Sequence, residues 1–125
     1  MPLLLDDPHD TMELTERGIV FVTVRGDVSD DVVARFDRES EPHVQRLAPV
    51  LYLNDMSQFG ETPLSARWKV AELMRRRAPL MKKSAAFGMT PTRRLIAMAL
   101  LRAAGRADKV RIFASRDEAE AYLLE

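Results

Sequence analysis

Residues able to do chemistry gather at two Thr-Pro steps, Thr62-Pro63 and Thr90-Pro91. In each, a hydroxyl suited to capping a helix precedes a proline suited to its first turn, so both pairs predict helix starts. A helix start presents unpaired N–H groups, and the ligand chemistry they accept is anionic. Asn54, Asp55, Ser57 and Thr62 cluster ahead of the first helix, and Gly88, Thr90, Arg93 and Arg94 surround the start of the second. A phosphate or carboxylate between the two starts could be held by backbone N–H groups and the paired arginines. The commoner use of such residues is plainer: threonines that only cap, and arginines that stay in water.

Other chemistries are poorly supplied. With no cysteine and only His9 and His43, a His/Cys zinc cluster cannot be assembled, and a Ser-His-Asp triad would have to use one of those two histidines. His43 has no partner near it in sequence. The expectation is therefore a protein that is not an enzyme, the one exception being an activity around Asp55 joined by a histidine in the same pocket. Asp27, Asp30, Asp31 and Asp37 do not read as a metal site, because the middle two sit where a helix start favours negative charge. Gly60 and Gly88 stand alone, so neither a dinucleotide fingerprint nor a P-loop is present and no cofactor is expected. The basic run Arg75-Arg76-Arg77 with Lys82-Lys83 reads as cations complementing a helix end and staying in water. Nucleic acid is not expected as a partner, and contact with a membrane surface is not the leading expectation.

These residues need elements to position them. Met12 to Glu16 and Ile19 to Arg25 predict a hairpin turning at Arg17-Gly18. Ser29 caps a helix that Pro42 should stop near Glu41, with Val32, Val33 and Phe36 facing inward. Val50 to Leu53 is an apolar strand of the buried parallel type, running into a polar loop from Asn54 to Glu61. The helix capped by Thr62 carries an apolar stripe of Leu64, Trp68, Ala71 and Leu73 or Met74, which places Trp68 in the core. Ser84 to Gly88 reads as a strand, and the helix opened by Thr90-Pro91 closes at Gly105. Val110 to Phe113 is the last strand, and Ser115 with Glu118 is a capping box for a final helix.

Leu95, Ile96, Met98, Leu100 and Leu101 spread apolar surface around most of the third helix. Its second side is covered by a neighbouring helix, used in a dimer, or offered to an apolar ligand, the first two being the main expectations. Strands alternating with helices imply right-handed parallel crossovers. The predicted architecture is α/β: a mixed, mostly parallel sheet of about five strands, one antiparallel, with four helices packed mainly on one face.

A chain of 125 residues, 46% hydrophobic and 30% charged, suits one domain, with residues 1–10 as an N-terminal extension. The start lacks the basic and apolar regions of a secretory signal, and cysteine is absent, so a cytoplasmic location is expected. Zero net charge hides an asymmetry: residues 1–62 carry five basic and thirteen acidic side chains, and residues 63–125 carry fourteen basic and six acidic. Either one face is basic, or the halves interleave and neutralise each other. The second is the expectation.

Three segments carry a family resemblance: Val22-Thr-Val-Arg-Gly26, Leu51-Tyr-Leu-Asn-Asp-Met-Ser-Gln-Phe-Gly60, and Val110-Arg-Ile-Phe-Ala-Ser-Arg-Asp-Glu-Ala-Glu-Ala-Tyr-Leu123. Together they resemble the SpoIIAA-like branch of the STAS domains, small bacterial proteins related to anti-sigma-factor antagonists. The resemblance implies the same order of elements, a non-enzymatic role in most relatives, and a fold also likened to lipid-transfer domains of the CRAL-TRIO kind. It further implies a phosphorylatable Ser or Thr in the loop feeding the helix after the central strand. The nearest match is Glu61-Thr62, which departs from the pattern in having Glu for Asp and Pro63 for a small hydroxyl residue.

Two functional readings follow. The leading one is a STAS-like regulatory or protein-interaction module, acting on a protein partner or a second copy of itself through the loop 54–62 and the following helix. Its alternative is a carrier or sensor of a small amphipathic or anionic, lipid-like ligand bound beside helix 91–104, with Arg93 and Arg94 on the head group. The first predicts no enclosed cavity, the second a cavity beside that helix.

Overall fold

The computed structural model describes residues 3–6, 10–103, 105 and 109–125, the side chain of Asp6 excepted. Its elements run β1 (Leu3–Asp6), β2 (Asp10–Leu14), β3 (Ile19–Gly26), α1 (Asp30–Leu47), β4 (Val50–Phe59), α2 (Leu64–Arg77), β5 (Met81–Phe87), α3 (Pro91–Ala103), β6 (Val110–Phe113) and α4 (Arg116–Leu123). The strands form one six-stranded sheet in the order β1-β2-β3-β4-β5-β6. Pairing is antiparallel on both sides of β2 and parallel from β3 to β6, so β2 alone runs against the rest.

The strand count is six and not five because part of the expected N-terminal extension pairs. Leu3, Leu5 and Asp6 align with Glu13, Met12 and Thr11, and Leu4 and Leu5 pack against the cluster around Met12 and Val20. Apolar side chains at the end of a sheet supply the burial that a free tail would forgo.

Alternation along the strands sorts the core into two layers. Ile19, Leu53 and Ala85 point to one face, where α4 covers them with Ala119, Tyr122 and Leu123. Val20, Val22 and Val50 point to the other, where α1 brings Phe36, Val44 and Leu47. Beyond them Val28, Val32, Val33 and Ala66 join α1 to α2. The helices on this second face are α1, α2 and α3, in accord with packing mainly on one side.

Three boundaries differ from expectation for tertiary reasons. Helix α1 does not stop at Glu41 but continues through Pro42 to Leu47. An interior proline costs about 3 kcal/mol, and the buried Val44 and half-buried Leu47 beyond it offset that cost through the sheet they cover. Strand β4 does not give way to a loop at Asn54. It runs on to Phe59, because Asn54 and Asp55 pair with Ala86 and Phe87, and Gln58 and Phe59 with Arg25 and Gly26. Trp68 is not in the core: it is 53% exposed and Leu64 is 65% exposed. The inward positions of α2 belong to Ala66 and Ala71 with Val70 and Leu73 beside them.

The end of α2 also departs from the solvated basic run. Arg77 is only 7% exposed. Its guanidinium donates to the Asp37 carbonyl at 2.8 Å, to Asp37 Oδ1 at 2.9 Å, to Glu41 Oε2 at 2.8 Å and to Ser40 Oγ at 2.8 Å. One planar donor fork thereby ties α2 to two turns of α1.

Hydrogen bonding from Gln45 first, and then the Arg77 hydrogen bond and charge, hold the Glu41 carboxyl below its ordinary value of 4.5, against the opposing effect of burial. A carboxyl depressed in the folded state stabilises the fold above its unfolded pKa, and that contribution disappears as pH falls through the folded value. The expected result is a urea midpoint that falls on acidification below about pH 4.5. In Glu41→Gln this component of the acid limb should be missing, as parallel denaturation curves would show.

Candidate functional site

Between the sheet and the roof made by α2 and α3 lies a cavity of about 340 Å³. Its floor alternates along four strands: Val22 and Val24 from β3, Tyr52, Asn54 and Met56 from β4, Ser84 and Ala86 from β5, Val110 and Ile112 from β6. The roof is apolar, with Val70, Leu73 and Met74 from α2 and Ile96, Ala97, Leu100 and Leu101 from α3. Two causes leave this space open. Ser84 and Ala86 are small where a sheet residue would otherwise reach up, and α3 leans on α2 instead of settling onto β5 and β6.

The few polar groups fall into three places. At the carboxyl ends of the strands stand Glu61, Thr62, Arg67 and Arg93, with the buried Asp10 beside Val24. Arg93 donates to the Phe59 carbonyl, pairs with Glu61 at 3.8 Å and lies over the Phe59 ring at 5.5 Å. Arg67 Nε donates to the Thr62 carbonyl at 2.8 Å. In mid-floor, Asn54 Nδ2 donates to Ser84 Oγ at 3.0 Å and to the Ala85 carbonyl at 3.1 Å, so both of its amide hydrogens are used within the sheet. At the opposite end are Tyr52 and Arg77. Burial pushes the Tyr52 phenol up from its ordinary value, opposed by the charge and hydrogen bond of Arg77. Tyr52 is therefore a neutral hydroxyl at pH 7.

The sequence-selected residues are divided by this geometry. Asn54 and Thr62 meet at the cavity, but Asp55 and Ser57 do not. Asp55 Oδ1 accepts from Ser57 N at 3.0 Å and from Ser57 Oγ at 2.7 Å, closing a turn on itself. Arg93 reaches the cavity, whereas Arg94 lies outside its lining with Nε buried and unpartnered. Thr90 Oγ1 accepts from Arg93 N at 3.3 Å and so caps α3. Gly88 takes φ +88° and packs against the backbone of β4, where a Cβ would stand 2.8 Å from Ser57 N. The paired-arginine anion cradle is thus not formed. Of the five apolar residues on α3, Ile96, Leu100 and Leu101 line the cavity, while Leu95 and Met98 do not.

The expected Thr62 cap is also absent. Pro63 holds the N-cap position of α2 with no side-chain hydrogen bond, and Thr62, 9% exposed, has a buried Oγ1 with no partner among the described residues. The long strand β4 delivers the chain one step later than the sequence implies. Removing an unpartnered buried hydroxyl removes a desolvation cost, so Thr62→Val is expected to leave stability unchanged or raise it by up to about 1 kcal/mol. A urea midpoint lower than that of the parent would count against this placement.

Three of the four acidic residues considered as metal ligands, all but Asp31, are engaged elsewhere. Asp27 Oδ1 accepts from Glu61 N, Asp30 accepts from Ser65 Oγ and pairs with Lys69, and Asp37 meets Arg76 and Arg77. His43 lies on α1 beside Arg46 and outside the cavity lining, and His9 lies outside the described residues. Neither Asp55 nor a described histidine lines the cavity.

A family model described as SpoIIAA-like matches residues 19–124. The chain belongs to the SpoIIAA-like family. Among solved structures it is similar to an uncharacterised protein with a SpoIIAA-like fold from Shewanella loihica PV-4, at 14% identity and a TM-score of 0.72, covering 95% of this chain and 98% of that one. It is also similar to the anti-sigma factor antagonist SpoIIAA in its unphosphorylated form, at 14% identity and a TM-score of 0.63, covering 92% and 97%. At that identity the likeness establishes the SpoIIAA-like fold. No curated protein matches the sequence. Among the described residues no helix is long and apolar enough to cross a membrane.

Arg77, Tyr52 and the valines of α1 were not selected as site residues from sequence. Arg77 was hidden inside a run of three arginines, and only its spacing from Leu73 and Val70 on the inward stripe distinguishes it from Arg75 and Arg76.

Proposed function

We propose that this SpoIIAA-like protein is a non-catalytic binding module that takes up a small amphipathic ligand under α2 and α3. The observation that carries this reading is the apolar cavity of about 340 Å³, which lies within the range of ~300–1,000 Å³ typical of ligand pockets. An apolar body fits the Val, Leu and Met walls. A polar head has two places to go: the strand ends, where Arg67 and Arg93 stand, or the far end at Tyr52 and Arg77. The test is native mass spectrometry of protein purified gently from its host, repeated after denaturation, together with titration of delipidated protein with decanoate and dodecanol. A bound mass lost on denaturation, or saturable binding of either amphiphile at micromolar concentration, supports the reading. A bare protein that binds neither sinks it.

The family supports a second reading, a regulatory module that meets a protein partner through residues 54–62 and α2. Ser57 is exposed at the carboxyl edge of the sheet, while Thr62 is buried. If a phosphate is carried here, Ser57 is the accessible acceptor. Intact-mass and peptide mapping would separate the two residues, and phosphate on Thr62 would require α2 to lift away from the sheet.

A further inference from the structure

The outer face of the cavity roof has the opposite character to a solvated helix surface. Leu64 and Trp68 follow each other at one-turn spacing on α2, and Leu95 and Met98 do so on α3. Leu64, Trp68 and Leu95 are 65%, 53% and 69% exposed. Because α2 and α3 lie side by side over one cavity, these side chains share one surface. Arg75 extends the Trp68 stripe, and Arg102 extends the Leu95 stripe by two turns; both are exposed, and no ion pair engages either among the described residues. The two helices carry eight basic residues and a single acidic one, Glu72, which is exposed one turn beyond Trp68. Lys69, Arg76 and Arg77 are answered by carboxylates of α1, and Arg93 by Glu61, which leaves the excess charge to Arg67, Arg75, Arg94 and Arg102.

We propose that this face docks on an anionic lipid bilayer, with Leu64, Trp68 and Leu95 entering the headgroup region and Arg75 and Arg102 meeting lipid phosphates. Leucine and tryptophan rimmed by arginine is the composition that lies in a membrane interface. Charge decides between occupants: a second copy of this chain would bring arginines against arginines, whereas a negative leaflet attracts them. The same helices roof the cavity, so docking places the proposed ligand site directly behind the bilayer contact. Docking goes beyond the ligand reading and stands or falls separately from it.

Trp68 is the only tryptophan, so its own fluorescence reports the contact. Vesicles of mixed phosphatidylglycerol and phosphatidylcholine should shift the emission to the blue and pellet with the full-length protein, and phosphatidylcholine alone should do neither. Arg75→Gln and Arg102→Gln should each weaken binding roughly fivefold at low salt. Leu95→Glu, at a position too exposed to disturb the fold, should lose binding at least tenfold while its dodecanol titration and urea midpoint match the parent. Absence of pelleting on anionic vesicles at low salt, or a Leu95→Glu protein that pellets like the parent, overturns the proposal. So does a concentration-dependent dimer, seen by sedimentation, that Leu95→Glu dissociates, since that would give the face to a second copy.

Discussion

Ala97→Phe is expected to abolish ligand uptake while the protein still folds. Ala97 lines the cavity from the middle of α3, flanked on the same roof by Ile96, Leu100 and Leu101. A benzyl group there enters space that is already empty, so it displaces ligand and not neighbouring side chains. Loss of about 3 kcal/mol of apolar contact is a loss of about 100-fold in affinity. The stability of the empty protein moves the other way, because filling a void restores contacts that its lining lacks, worth about 0.5–2 kcal/mol. Paired titrations of decanoate or dodecanol and paired urea curves read both quantities from one preparation. A variant that binds as the parent does would mean that the ligand site lies elsewhere, and one that fails to fold would mean that the cavity is not open in solution.

Arg77→Met is expected to be the most damaging single substitution in stability. The arginine is buried and donates to Asp37, Ser40 and Glu41, so removing it takes the shared guanidinium from two carboxylates and a hydroxyl at the junction of α1 and α2, leaving Asp37 with Arg76, Glu41 with Gln45 and Ser40 with the Phe36 carbonyl. Breaking a buried pair by deleting one partner costs about 3–5 kcal/mol. Here Asp37 and Glu41 retain some solvent, with side chains 31% and 40% exposed, which places the loss near about 3 kcal/mol. With a typical urea slope, the midpoint should fall by about 1 M or more. Arg77→Lys should recover only part of the loss, since an ammonium lacks the planar fork that reaches all three partners. Adding Asp37→Asn and Glu41→Gln to Arg77→Met should recover part of it as well, because the carboxylates that lost the guanidinium are then neutral, less what Asp37 loses with Arg76. If the triple variant is no more stable than Arg77→Met alone, the loss comes from packing and not from charge.

The two effects bear on one another. Arg77 closes the cavity at the end opposite Arg93, next to Tyr52. The junction that holds α2 on α1 therefore also sets how far α2 stands from the sheet. Arg77 variants that remain folded should bind amphiphiles more weakly, in proportion to the loosening of the roof.

What the sequence determined by itself is the order of elements from β2 onward, together with several caps. Ser29 Oγ accepts from Val32 N, Thr90 Oγ1 accepts from Arg93 N, and Ser115 Oγ accepts from Glu118 N, each as local spacing requires. Those signals are short-range: a cap, a turn at Gly18 or a strand of alternating valines needs only neighbours in the chain. The all-round apolar character of the third helix also pointed to a second partner for that helix, and a cavity lies beneath it. What only the tertiary structure decided depends on residues far apart in sequence. Strand β4 gained its second half from pairing with both neighbours, so the loop at 54–59 became the cavity floor. Pro42 stayed inside α1 because burial beyond it outweighed the broken turn. Trp68 turned outward because alanines allowed α2 to lie close to α1, and Arg77 turned inward because Asp37, Ser40 and Glu41 were waiting on the facing helix. The cavity itself is a void, formed where small sheet residues meet a helix held off by its neighbour, and no local pattern encodes the distance between them.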